Sequence, residues 1–169
     1  MTNQNQVRAE EIQYLFLEEI ALPSVAKLEE IQSLINSERI AFGMDYYINP
    51  NKAKIFAING GTAFGPNYRS VTIGYFIVVD KAHAYEKILD MILYKEYRMH
   101  GFGTMAYNMI SNIYGAFGIE LYMWCDDNNT SGIIFWNKVS SVISTDGDYN
   151  KTLFMDQNFN KTKYFQEYL

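Results

Sequence analysis

Apolar residues recur at helical spacing from Val25 through Leu28, Ile31, Leu34 and Ile35. Pro23-Ser24 stands just ahead of them, so the pattern predicts an amphipathic helix ending near Ser37-Glu38. Before it, the short apolar run Ile12 to Leu17 reads as a strand. After it, A-K-I-F-A-I-N over 53–59 predicts a strand that stops at the turn signal Gly60-Gly61. V-T-I-G-Y-F-I-V-V over 71–79 predicts its antiparallel partner, with 60–69 as the hairpin loop. The mostly apolar run Ile88 to Tyr94 reads as a central strand. A break follows over 95–103. Met105, Ala106, Met109, Ile110 and Ile113 then mark one face of a helix from Thr104 to Tyr114, which Gly115 and Gly118 should stop. Ile119 to Cys125 predicts another strand. Asp126 to Asn129 is a loop of good cap residues, with Asp126 and Asp127 read as capping the helix Ser131 to Val139. The tail predicts a strand at Thr152 to Met155 and another near Val142 to Ser144.

The run of strands in the middle implies antiparallel pairing, and the strand–helix–strand unit after Ile88 implies a local parallel pair. The fold class is therefore a mixed α/β sheet, mostly antiparallel, flanked by helices. The chain reads as a single domain over residues 1–169, with the first six residues expected to be frayed. Composition agrees, since 49% of residues are hydrophobic and 16% aromatic, enough for a sizeable core. The net charge of −5 disfavours general nucleic-acid binding and leans slightly toward amine partners. The one cysteine, Cys125, leaves no intramolecular disulfide and no zinc cluster, which suits a reducing setting. The polar N-terminus shows no signal peptide, and no apolar stretch is long enough for a bilayer, so the expectation is a cytoplasmic protein with no membrane partner.

The segment richest in chemistry is Arg98-x-x-Gly101-x-Gly103, between a strand and a helix. Glycines there allow a sharp turn and close approach of a ligand, and the amides that open a helix form an anion site by geometry and dipole. Arg98 and His100 add positive charge, so the ligand class is a phosphate or pyrophosphate; a tight turn without a ligand fits the two glycines equally well. A Walker loop is absent. G-F-G-T-M-A over 101–106 formally matches the dinucleotide fingerprint, but such a unit should open its fold.

Taken further, Tyr94 to Thr104 resembles the acyl-CoA loop of the GNAT (Gcn-related) N-acetyltransferase superfamily, whose signature is Q/R-x-x-G-x-G/A. The resemblance continues through the next helix and strand to Asn129, which opens a helix with an aromatic, Trp136, seven residues on. It covers about Val71 to Lys138. It implies acetyl-CoA as acyl donor, held in a cleft where strands 88–94 and 119–125 splay apart. The loop residues Arg98, Met99, His100, Gly101, Phe102, Gly103 and Thr104 would hold the pyrophosphate. Backbone near Leu93 would pair with the pantetheine, and Asn129 would contact the donor. The implied reaction is transfer of acetyl to a primary amine by direct attack, with a backbone N–H stabilising the developing oxyanion.

The sequence departs from that pattern at several places. The slot where many members carry a tyrosine that protonates the leaving thiolate holds Trp136, or Phe135 one residue earlier, and Ser140-Ser141 replaces a frequent Gly-Phe. The member glutamates near the start of the central strand map to Glu86 or Lys87. Asp90, a charge inside an apolar run, must be paired or face a cleft, and with Glu86 it is the candidate base. His83 reads as solvated, Cys125 as a buried core residue, and Gly65 to Arg69 as an aromatic loop that lines the acceptor site or merely covers the sheet. The expected function is an acyl-CoA-dependent N-acyltransferase. A catalytically silent acyl-CoA-binding domain is the alternative, and nucleotide-sugar or NAD binding is a third class. The acceptor class stays open among polyamine, antibiotic, amino acid and protein amine, and so does a homodimer.

Overall fold

The computed structural model describes residues 6–39, 48–81 and 83–156. In chain order the elements are β1 (Tyr14–Glu19), α1 (Val25–Arg39), β2 (Ala53–Gly61), β3 (Ser70–Asp80), β4 (Glu86–Leu93), α2 (Phe102–Ala116), β5 (Glu120–Asp126), α3 (Thr130–Val139), β6 (Ser141–Asp146) and β7 (Lys151–Met155). The strands make one 7-stranded sheet in the order β1-β2-β3-β4-β5-β7-β6. Every neighbouring pair is antiparallel except β4 with β5, which the crossover through α2 makes parallel. The mixed α/β class read from the pattern is the class observed.

Because side chains alternate across a strand, the apolar strands feed two cores. Phe56, Ile58, Phe76, Leu89, Leu93, Leu121 and Met123 pack with Ala106, Tyr107 and Ile110 of α2 and Trp136 of α3. Ile55, Ala57, Tyr75 and Ile77 pack instead with Ile31 and Ile35 of α1. The helices thus cover opposite faces, and strands buried on both sides read as continuous apolar runs.

Several local expectations need correction. β1 lies two residues later than Ile12 to Leu17, because Ala9–Glu11 forms a 3-10 turn first. Gly60 and Gly61 are not a turn but the end of β2. A Cβ on Gly60 would come within 2.6 Å of the Ile12 side chain, and one on Gly61 within 2.4 Å of the Tyr14 ring, so they are small to admit Ile12, just before β1, and Tyr14, which opens it. Gly115 lies inside α2, and Gly118, at φ +70°, alone makes the left-handed exit. Asp126 and Asp127 do not cap α3. Asp126 accepts from the Asn128 N–H, and Asp127 accepts from the Thr152 hydroxyl at 2.6 Å. Of the six N-terminal residues expected to be frayed, 1–5 lie outside the described residues, and Gln6 donates to Glu96.

One irregularity positions everything that follows. β4 and β5 pair only at Glu86–Glu120, Lys87–Leu121 and Ile88–Tyr122. Beyond that point β4 stays with β3 as far as Leu93, and β5 stays with β7 as far as Asp126. The two strands therefore open like a V toward their C-terminal ends, where the loop into α2 begins.

Candidate active site

The loop at the open end is built around two left-handed residues. Met99 has φ +65° and is fully exposed, and Gly101 has φ +81°. The second permits the chain to turn into α2 without steric cost. Gly101 is the N-cap of α2, yet no side chain caps this helix, and a Cβ built on Gly101 would meet nothing within 4 Å. The amides that open α2 therefore face an uncrowded surface beside the positive end of the helix dipole, a fit for an anionic group of phosphate size. Gly103 does a different job. Its missing side chain makes room for the Phe135 ring, 3.2 Å from the Cβ position, and for Met91 of β4. Phe102 is buried, with the exposed His100 ring stacked on it at 5.8 Å. Thr104 is half-buried in the first turn.

Arg98 is turned back on its own strand. Its Nε and Nη2 donate to the Leu93 carbonyl at 2.9 and 2.7 Å. This clamp ties the loop to the end of β4 and occupies that carbonyl, so a chain pairing with β4 there must use other backbone groups. Across the V, Asn129 is the N-cap of α3. Its Oδ1 accepts from the Gly132 N–H at 3.0 Å and from the Ser131 hydroxyl at 3.3 Å. Gly132 is small for a packing reason, since a Cβ would lie 2.5 Å from Asn129 Nδ2 and 2.9 Å from Cys125 Sγ. Cys125 is buried, as expected, and His83 is exposed.

At the closed end of the V stand carboxylates. Leu89, Met91 and Leu93 point to the α2 side, so Glu86, Ile88 and Asp90 take the α1 side. Glu86 is half-buried and lies 3.6 Å from Lys81. Asp90 is half-buried opposite Ile77 of β3. Opposite Glu86 in register is Glu120, buried, accepting a hydrogen bond from Tyr122 Oη at 2.5 Å. Burial first, then Glu120 and Glu86, push the Tyr122 phenol well above its ordinary value of 10. Sequence reasoning missed this pair, because Glu120 and Tyr122 looked like part of an apolar strand. The signal available was their i,i+2 spacing, which puts both on one face. The Gly65 to Arg69 loop sits at the opposite, open end. Arg69 joins Glu11 at 2.8 Å, and together with Tyr97 and His100 they line a cavity of about 680 Å³. Among the described residues no group of His, Cys, Asp and Glu could hold a metal ion, and no helix is long and apolar enough to cross a membrane.

No family model and no curated protein matches the chain in sequence. Solved structures do. An IAA acetyltransferase from Bacillus cereus superposes with a TM-score of 0.60 at 12% identity, over 85% of this chain and 99% of its own. Spermidine N-acetyltransferase from Vibrio cholerae, solved with CoA and spermine, superposes at 0.56 and 14%, over 83% and 92%. PaiA N-acetyltransferase from Thermoplasma acidophilum, in complex with coenzyme A, gives 0.56 and 17%, over 83% and 98%. Another structure of like similarity, from Desulfovibrio desulfuricans, is described as of the GNAT family. The chain has the GNAT acetyltransferase fold.

Within this GNAT fold, Trp136 is a core residue. It is buried and packs edge-on against Tyr107 at 5.7 Å and Phe135 at 4.9 Å. The nearby Tyr107 hydroxyl is engaged elsewhere. It donates to Asp156 at 2.6 Å, and Ser111 donates to the same carboxylate at 2.8 Å. Neither aromatic of α3 offers a hydroxyl.

Proposed function

We propose that this chain is an acyl-CoA-dependent N-acyltransferase that moves acetyl from acetyl-CoA to a primary amine by direct attack. The observation that carries the reading is the parting of β4 and β5 beneath an uncapped α2 that opens at left-handed Gly101. A strand-like, amide-bearing arm fits a gap between two strands, and a pyrophosphate fits the amides at the head of α2. From Leu93 back to Ile88 the gap runs about 17 Å at the rise of an extended strand. The coenzyme supplies an activated thioester. The chain's part is to hold it, exclude water and handle protons. Loop amides from Met99 to Thr104 grip the phosphates, Arg98 keeps that loop docked on β4, and Asn129 opens α3 across the V. Glu86 and Asp90 stand on the α1 face near the closed end, where a carboxylate can accept the proton that an attacking amine loses.

The solved structures with CoA support the donor, and the neighbour with spermine supports an amine acceptor. Calorimetric titration with acetyl-CoA, followed by release of free thiol with a panel of amines, tests the reading. Binding with amine-dependent thiol release is the expected result. Binding without release across the panel favours a silent acyl-CoA-binding domain, a reading that buried, hydroxyl-free Trp136 supports. Stabilisation by NAD or a nucleotide sugar, with none by CoA, overturns both.

A further inference from the structure

We propose that a cavity of about 290 Å³ on the α1 face, beside the open end of β4, takes the acceptor, and that this acceptor is a linear amine with a second, cationic nitrogen, a diamine or polyamine; this rests on the transferase reading above. Three parts of the chain wall the cavity. α1 supplies Lys27 and Glu30, the first half of β3 supplies Thr72 and Tyr75, and the segment after β4 supplies Tyr94 and Glu96. Asn59 pairs with Thr72 and Ile58 with Gly74, so Ile73 is an extra residue in β3. That bulge lets Thr72 and Tyr75, three apart, reach the same cavity. The Ile73 carbonyl accepts the Tyr94 N–H at 2.9 Å, and Tyr94 directly follows Leu93, the last residue of β4. The cavity therefore adjoins the strand end where the donor's arm is expected.

Its chemistry is that of an ammonium site. Glu30 Oε1 accepts from the Tyr94 hydroxyl at 2.9 Å and from the Tyr75 hydroxyl at 3.3 Å, which fixes the carboxylate. Oε2 holds Lys27 Nζ at 2.9 Å. Lys27 ends in a primary alkylammonium, so it stands in for the group this carboxylate would take from a ligand. The two side chains are 39% and 47% exposed, and so open a pair is weak enough for Lys27 to yield to another cation. The Tyr75 and Tyr94 rings, edge to face at 6.3 Å, add the π surface that favours cations. Glu96 brings a second carboxylate, to which Gln6 donates at 3.4 Å. A nitrogen held by a carboxylate is protonated, whereas attack on a thioester needs a neutral one. The nitrogen at Glu30 is therefore the acceptor's second nitrogen, not the reacting one. Ile92 and Tyr94 pack on the α1 side, and alternation puts Asp90 on that same face. A chain anchored at Glu30 thus runs down β4 with its free end toward Asp90.

Diaminohexane, hexylamine and aminohexanoate are matched in length and probe the cavity in the thiol-release assay. kcat/KM for diaminohexane should exceed that for hexylamine by about 30-fold, the scale of one charge-assisted hydrogen bond, and aminohexanoate should be poorest. Glu30→Gln should cut the diamine preference to below about fivefold, and Lys27→Ala, which removes the resident cation, should widen it about threefold. Each readout is a ratio, so a variant that folds poorly lowers both rates and leaves the ratio in place. Equal rates for diamine and monoamine, or a preference untouched by Glu30→Gln, overturn the cavity assignment and leave the transferase reading standing. Aminohexanoate as the best substrate, with its turnover lost in Lys27→Ala, overturns it in favour of a zwitterionic acceptor. Acetyl-CoA bound but no thiol released with any amine overturns the transferase reading and the acceptor assignment with it.

Discussion

A Cβ on Gly101 would meet open space, whereas one on Gly132 would meet an amide nitrogen at 2.5 Å, and the two glycines are glycines for opposite reasons. Gly101 is fixed by its backbone, with φ +81° at the start of α2 and nothing crowding it. That openness is what an anion needs. Gly101→Asp places a carboxylate where phosphate is expected, and of all side chains Asp is among the better tolerated at such φ. CoA affinity should drop by about 100-fold, roughly 2.7 kcal/mol, while circular dichroism stays native. Calorimetric titration checks it, and unchanged affinity in a folded variant refutes the loop assignment. Arg98, read as a phosphate partner, shows the limit of residue-level reasoning. The motif fixes its position but not the direction of its guanidinium, and a carbonyl five residues back captures it.

At the scale of elements, amphipathic spacing located α1, α2 and α3, because one face of each must be buried and the apolar residues say which. Ends were less legible. α2 begins two residues earlier than its apolar pattern, since the helix start is set by Gly101's backbone rather than by side-chain hydrophobicity. Gly60-Gly61 looked like a turn because glycines usually punctuate. Here they thin β2 so that Ile12 and Tyr14 can lie across it, a requirement visible only once β1 is in place. The start of α3 shows the same coupling. Asn129 caps it and folds over Gly132, with Cys125 behind. Gly132→Ala should therefore cost about 1–3 kcal/mol by overpacking. Its melting temperature should fall by roughly 2–4 °C for each kcal/mol, as differential scanning calorimetry can measure; an unchanged melting temperature contradicts the contact.

Over the whole molecule, the surplus of tyrosine acquires a consequence. Burial raises Tyr114 to about 12, with Glu19 and Asp80 adding to it. Burial also raises Tyr107, aided by Asp156, and Tyr94, aided by Tyr75 and Glu30. Each phenol holds its proton more tightly folded than unfolded. The resulting stability is complete below pH 10, the unfolded value, and is lost as pH climbs from there through the folded values. The urea midpoint should stay level up to pH 9 and fall steeply at pH 10 and 11. In Tyr114→Phe the alkaline fall should be shallower. A midpoint that holds at pH 11 would contradict the burial of these hydroxyls.

The sequence by itself determined the element types, the mixed sheet and the strand–glycine-loop–helix unit, because periodicity and backbone freedom are local properties. Only the tertiary structure decided that β4 and β5 part after three pairs, that Trp136 is core, and that Glu120 and Tyr122 share a face with Glu86. Those facts depend on which strands become neighbours and where their pairing ends, and no short window of residues records either.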